Sequence, residues 1–243
     1  MTAPTSGFSV SALEPFPEIQ AGDDLAGIIL AAARAAGTAL AEGDVVVVAS
    51  KVVSIAEKRH VDLANVTVTP EAEHLAAKTG KPAAIVQLIL DNSTEYFLAG
   101  DRGPIIAWHT LGLQLTSAGI DRDGTAGAWL LPADPDASAR HLRDALAAGT
   151  GARIAVIIAD SDGRADRNGS TVIAIGAAGI SPSRYTTHAG KRQQETFIDL
   201  IAAAAGITLG QRGRGAPVAI VRGIAYQPGD EGVASILHRS SQP

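Results

Sequence analysis

The sequence predicts a mixed α and β fold, and three observations carry that prediction. Helix-forming and strand-forming stretches alternate near both ends, the middle offers short extended pieces cut by glycine turns, and no regular βα period of the barrel kind is present. Hydrophobic residues make up 46% of the 243 and charged residues 19%, so the chain can bury a core and reads as one domain over residues 1–243. Aromatics are only 4%, which leaves a core of Ala, Val, Leu and Ile whose small side chains let helices approach sheets closely.

Asp23 and Asp24 precede an Ala/Leu/Ile stretch ending near Gly43, an acidic first turn followed by a glycine stop, and this predicts the first helix. The Val-rich run from Asp44 to Ser50 is short and β-branched, as a buried strand is. Thr69-Pro70 with Glu71 and Glu73 reads as a helix cap and first turn, and Pro82 opens a second apolar helix to about Asp91. Ile105 to His109, Leu113 to Thr116 and Ala128 to Leu131 predict an antiparallel meander. Asp134-Pro135-Asp136 starts a helix that Gly149 or Gly151 ends, and Arg153 to Ala159 is the clearest buried strand. Val172 to Ile175 predicts a strand, Gln194 to Ala205 a helix, and Val218 to Arg222 a last strand.

Twenty Lys and Arg against twenty-five Asp and Glu give a net charge of -5, which removes the basic field of a general nucleic-acid binder. Cys is absent, so disulfides, thiolate metal sites and cysteine nucleophiles are excluded. Met1 to Val10 lacks a basic segment followed by an apolar core, and the apolar stretches Leu25 to Leu40 and Ala152 to Ala159 are interrupted or too short to span a bilayer. A cytoplasmic protein with no membrane partner is therefore expected. The six histidines show no HxxxH or HxH spacing for zinc, and no GxSxG elbow marks a hydrolase nucleophile.

The densest polar cluster, Asp160-Ser161-Asp162-Gly163-Arg164-Ala165-Asp166-Arg167-Asn168-Gly169, directly follows the strongest strand, where open α/β sheets gather ligands. Such a cluster suits a metal or phosphate, and equally a solvated turn. It is no EF-hand: Arg164 and Thr171 occupy ligand positions. Ser117-Ala118-Gly119-Ile120-Asp121-Arg122-Asp123-Gly124 is a weaker cluster that gains meaning paired with Asp160, since two carboxylates from separate strand ends hold Mg²⁺ beside phosphates. Gly210-Gln211-Arg212-Gly213-Arg214-Gly215 could lay backbone N–H groups on phosphate, although the helix-then-strand order around it is the reverse of a Walker A or dinucleotide motif. Ser50-Lys51, at the end of the Val-rich strand, could meet a phosphate too, and in an extended segment Lys51 and Ile55 share a face.

Taken together these segments resemble a known family. Gly43 through Ser54, Ala56-Glu57, Ser117 through Asp121, Leu130-Leu131-Pro132 with Asp134 through Ser138, Asp160 through Arg164 with Arg167 and Gly169, then Gly210-Gln211, Pro217 and Val221-Arg222-Gly223 are collinear with the coenzyme F-420-0:L-glutamate ligase family. The resemblance runs from about Leu13 to Gly223. It implies that family's α/β fold as an intertwined homodimer, with GTP as co-substrate and Mg²⁺ or Mn²⁺ as cofactor, joining L-glutamate to a deazaflavin carboxylate. It places Asp121 and Asp160 on one metal and Ser161 and Gln211 where ligands of the second are found. It turns Pro15, Phe16, Pro17, Glu18, Ser50, Lys51 and the loop from Gly210 to Pro217 toward the nucleotide.

The chain departs from that pattern at Ile55, where the family has a phosphate-facing Lys. Ser117 and Gly124 stand in Asn positions, Ser161 replaces Thr, Arg214 sits where an acidic residue is common, and the stretch between Gly179 and Phe197 is shorter. The acceptor carboxylate and the choice between GTP and ATP stay open. So do two other classes: a paralogue that binds a nucleotide or metabolite without turnover, and a metal-dependent phosphohydrolase.

Overall fold

A computed structural model of the chain describes residues 7–210 and 216–238. Strand β1 (Ser9–Ala12) leads to helix α1 (Leu25–Ala35), whose first turn is capped by Asp24 accepting from the Gly27 N–H at 3.1 Å. Gly37, not Gly43, ends this helix: its φ of 67° lets the Thr38 N–H fold back to the Ala33 carbonyl at 2.9 Å. Strand β2 (Val45–Ala49) then runs without a linker into α2 (Ser50–Ala56). The expected extended segment at 51–55 is thus a helix. Its buried residues Ser50, Val53 and Ser54 carry the helical spacing, which the β-branched valines had disguised.

Strand β3 (His60–Asp62) precedes α3 (Pro70–Thr79) and α4 (Ala83–Asp91), the pair that the Thr69-Pro70 and Pro82 signals predict. The Thr69 hydroxyl caps α3 through the Ala72 N–H, and Gly80 ends it with φ 69°. The middle supplies β4 (Ser93–Leu98), β5 (Ile105–His109), β6 (Gln114–Thr116), a one-turn helix at Ser117–Gly119, β7 (Asp121–Asp123) and β8 (Gly127–Trp129). These form two small sheets rather than one meander: β4-β5-β6 is antiparallel, while β8 lies between β3 and β7.

Helix α5 (Pro135–Thr150) is capped by Asp134 and stopped by Gly151, and Gly149 inside it faces Leu30 of α1 so closely that a β-carbon would lie 2.5 Å from Leu30 Cδ1. Strands β9 (Ala155–Gly163) and β10 (Ser170–Ala178) extend well past the runs expected at 153–159 and 172–175. The polar cluster therefore lies within a hairpin, with Asp160 to Gly163 inside β9 instead of after it. A second hairpin follows, β11 (Ser183–His188) with β12 (Lys191–Thr196), turned by Ala189 and Gly190 at φ 48° and 77°. It claims Gln194 to Thr196, so α6 (Phe197–Leu209) starts later than expected, and β13 (Val218–Arg222) closes the main sheet.

That sheet has the order β1-β13-β2-β9-β10, with only β2 and β9 parallel. Val45 to Val48 and Ala155 to Ala159 are all buried, so both faces of the central strands are covered; α5, with α1 packed on it, and α6 supply the cover. A second apolar cluster joins Leu75, Ile85, Val86 and Ile89 of α3 and α4 to Ile105, Ala118 and Ile120. The class is mixed α and β, as expected, with four separate sheets among the described residues.

One buried acid locks the start of β2. Asp44, fully buried, accepts from Arg222 Nε at 2.8 Å, Arg222 Nη2 at 2.7 Å and the Ala41 N–H at 2.8 Å, tying β13 to β2. Asp44→Ala strands these donors and is expected to cost about 2–3 kcal/mol, because Arg222 retains some access to water. A urea melt showing less than about 0.5 kcal/mol would contradict the lock.

Candidate functional site

The register of the parallel pair decides where the site lies. Ala49 sits opposite Ala159, so β2 and β9 end their pairing together and deliver Ser50 and Asp160 side by side. This is the carboxyl end of a parallel pair, where α/β folds place ligands. The Ser50 hydroxyl, itself buried, donates to Asp160 Oδ1 at 2.6 Å. In front of them opens a cleft of about 1050 Å³, with walls from both apolar clusters. Its size suits a nucleotide-sized ligand.

Asp121 lines the same cleft from a different sheet, and its charge acts on Asp160. Burial first, then the neighbouring Asp121 carboxylate, push the Asp160 carboxyl up to about 7, against the opposing Ser50 hydrogen bond. A cation between the two carboxylates would relieve both effects. Ser161 lines the cleft as well, and its hydroxyl lies 3.3 Å from that of Ser170. Asp123 does not join the pair: it meets His60, Nε2 to Oδ2, at 3.2 Å.

Of the residues assigned to a nucleotide, Phe16, Pro17, Glu18, Ser50, Lys51 and Gly210 line the cleft, whereas Pro15 is exposed outside it. Ser50 directs its hydroxyl proton to Asp160, which makes it a support for the carboxylate before anything else. Lys51 and Ile55 both line the cleft, but as neighbours one helical turn apart on α2 and not by strand parity. Gln211, Arg212, Gly213, Arg214 and Gly215 lie outside the described residues.

Among the described residues no group of three or more His, Cys, Asp or Glu is gathered that could hold a metal. The donors present are hard oxygens: two carboxylates and a serine hydroxyl. That set fits Mg²⁺ or Mn²⁺, which take one or two protein carboxylates and complete their shell with water and phosphate oxygens. The histidines divide between surface and core: His60, His74, His141, His188 and His238 are exposed, and His109 is not. It is buried, its Nδ1 accepts from the Leu111 N–H at 2.9 Å, and burial drives its pKa down to about 4.

Sequence reasoning missed Lys81, Pro82 and Ile85, which bring the α3–α4 junction to the cleft, and Thr116 and Arg122 beside Asp121. A lysine between Gly80 and Pro82 at the entry to α4 was a legible anion signal. Thr116 carried none.

A sequence profile of the F420-0:Gamma-glutamyl ligase family matches residues 15–223. The Coenzyme F420:L-glutamate ligase of Methanothermobacter thermautotrophicus is 36% identical over 244 aligned positions, covering 95% of this chain and 96% of the relative. Enzymes of the same name from Archaeoglobus fulgidus and Halobacterium salinarum are 35% and 37% identical, covering 95% and 94% of this chain and 92% and 91% of their own.

The carboxylate pair has a consequence for stability without metal. Asp160 binds its proton more tightly folded, near pH 7, than unfolded, near 3.8, so folding takes up a proton and stability falls as pH rises through that window. Asp160→Asn removes the effect. In EDTA its melting temperature is expected to exceed that of the wild type, by a margin that grows from pH 5 to pH 7 and then levels off. A margin that is flat or negative would contradict the burial of the Asp160 carboxyl.

Proposed function

The chain belongs to the F420-0:Gamma-glutamyl ligase family, and on that premise we propose that it is an enzyme joining L-glutamate to the carboxylate of a deazaflavin coenzyme precursor. GTP is consumed, Mg²⁺ or Mn²⁺ is the cofactor, and the assembly is a homodimer. The observation that carries the reading is that Asp121 and Asp160, from separate sheets, line one nucleotide-sized cleft, near enough for the Asp121 charge to act on Asp160.

A carboxylate is a poor acyl donor because oxide does not leave. In this reading a substrate carboxylate oxygen attacks the γ-phosphorus of GTP and GDP departs, giving an acyl phosphate. The glutamate amine then attacks the acyl carbon, the amide forms, the amine loses a proton, and inorganic phosphate leaves with the oxygen. Asp121 and Asp160 would hold one metal, and Ser161 and Gln211 stand where the family pattern has ligands of a second. The ion, when bound, neutralises triphosphate charge and favours in-line transfer. Ser50 fixes the Asp160 side chain, the supporting role that partners of metal ligands play. Ile19, Ile55, Ile85, Ile120, Val172 and Leu209 line the cleft, and such walls limit the water that would hydrolyse an acyl phosphate.

A second reading, binding without turnover, is favoured by Ile55 on the cleft wall where the family pattern has a lysine. Lys51, one turn away, is the cation that replaces it. Incubation with GTP, Mg²⁺, the deazaflavin precursor and L-glutamate separates the readings. The ligase gives amide and phosphate in equal amounts, a phosphohydrolase gives phosphate alone, and a binding paralogue gives neither while still binding GTP. Lys51→Ala is expected to weaken GTP about tenfold or more and GDP less, the worth of one charge-assisted hydrogen bond, while Ile55→Lys strengthens GTP. Unchanged affinities in calorimetry would remove Lys51 from the phosphates.

A further inference from the structure

Asp121 stands just past a turn that no ordinary peptide adopts unaided. Ser117, Ala118 and Gly119 are left-handed in succession, with φ of 54°, 51° and 65°. Side chains disfavour that region, so two such non-glycine residues persist only where the surroundings hold them. Downstream, Ala118 is fully buried, and a β-carbon at Gly119 would lie 2.8 Å from Leu131 Cδ1. Upstream, the hold is made by Thr116. Its backbone N–H donates to Asp162 Oδ1 at 2.7 Å, and its hydroxyl donates to the Gly163 carbonyl at 2.8 Å. Gly163 is what permits this approach, since a β-carbon there would sit 2.7 Å from Thr116 Oγ1.

Asp162 lies two positions beyond Asp160 on β9 and so shares its face. The strand that presents one carboxylate therefore also clasps the turn that presents the other. We propose that Asp162 is a positioning residue: through the Thr116 N–H it fixes the strained turn so that Asp121 faces Asp160, and it thereby sets the affinity of the pair for a divalent cation. The inference rests on the reading of that pair as a metal seat. Asp162 acts here chiefly through the fixed place of its acceptor; its charge also bears on Asp160, but it does not line the cleft as a further ligand would.

Asparagine keeps the Oδ1 acceptor and removes the charge, whereas glutamate keeps the charge and displaces the acceptor by a methylene. Mn²⁺ alone is the probe, with free ion counted by electron paramagnetic resonance and melting curves run alongside. Asp160→Asn is expected to weaken Mn²⁺ at least tenfold, Asp162→Glu about tenfold or more, and Asp162→Asn no more than about threefold. Wild-type affinity in Asp160→Asn would defeat the metal reading itself. With Asp160→Asn weakened, binding in Asp162→Glu equal to or tighter than in Asp162→Asn would overturn the positioning role. Should Asp162→Glu not fold, Thr116→Val decides, because it deletes the hydroxyl's bonds to Gly163 and Asp162 and leaves the backbone donor in place. Weakened Mn²⁺ binding in folded Thr116→Val supports the clasp, and unchanged binding overturns it.

Discussion

A buried carboxylate and a second one whose charge acts on it line the same cleft, and the surrounding structure serves to keep them there. Left to water, Asp121 and Asp160 would separate; in the fold one is held in β9 and the other beyond a left-handed turn. The Asp160 carboxyl, at about 7, records the energetic tension of that placement. Active sites are where such unfavourable arrangements persist, because a ligand of opposite charge repays them.

The main sheet makes the placement possible. Among the described residues only the β2–β9 pair is parallel, and a parallel pair ends both strands on the same edge, so a hydroxyl from one and a carboxylate from the other meet without a connecting loop. The Asp44–Arg222 lock sits at the opposite end of β2. Its position far from the cleft fits a structural role, which the charge count of the sequence could not distinguish from a functional one. The two small sheets and the α3–α4 pair then supply the far wall, bringing Asp121 and Lys81 to the cleft.

Much of this was legible in the residues. Caps such as Thr69 and Asp134 and the stop at Gly151 marked helices because they satisfy specific backbone groups locally. The buried strands β2, β9 and β13 showed as short β-branched runs, and the Asp160 cluster stood out by its density of polar residues. What stayed hidden depends on pairing at a distance. Asp160 to Gly163 resemble a turn until β10 is placed beside them, Gln194 to Thr196 resemble a helix start until β11 claims them, and α2 resembles a strand until its buried face is known. Thr116 and Asp162 meet across 46 positions, and no local pattern announces such a contact.

The most direct test of the account is where a cation settles. Crystals grown with Mn²⁺ and GTP, measured at the manganese absorption edge, should show an anomalous peak within coordinating distance of carboxylate oxygens of both Asp121 and Asp160. A peak bound by other residues, with the two carboxylates bridged by nothing, would contradict it.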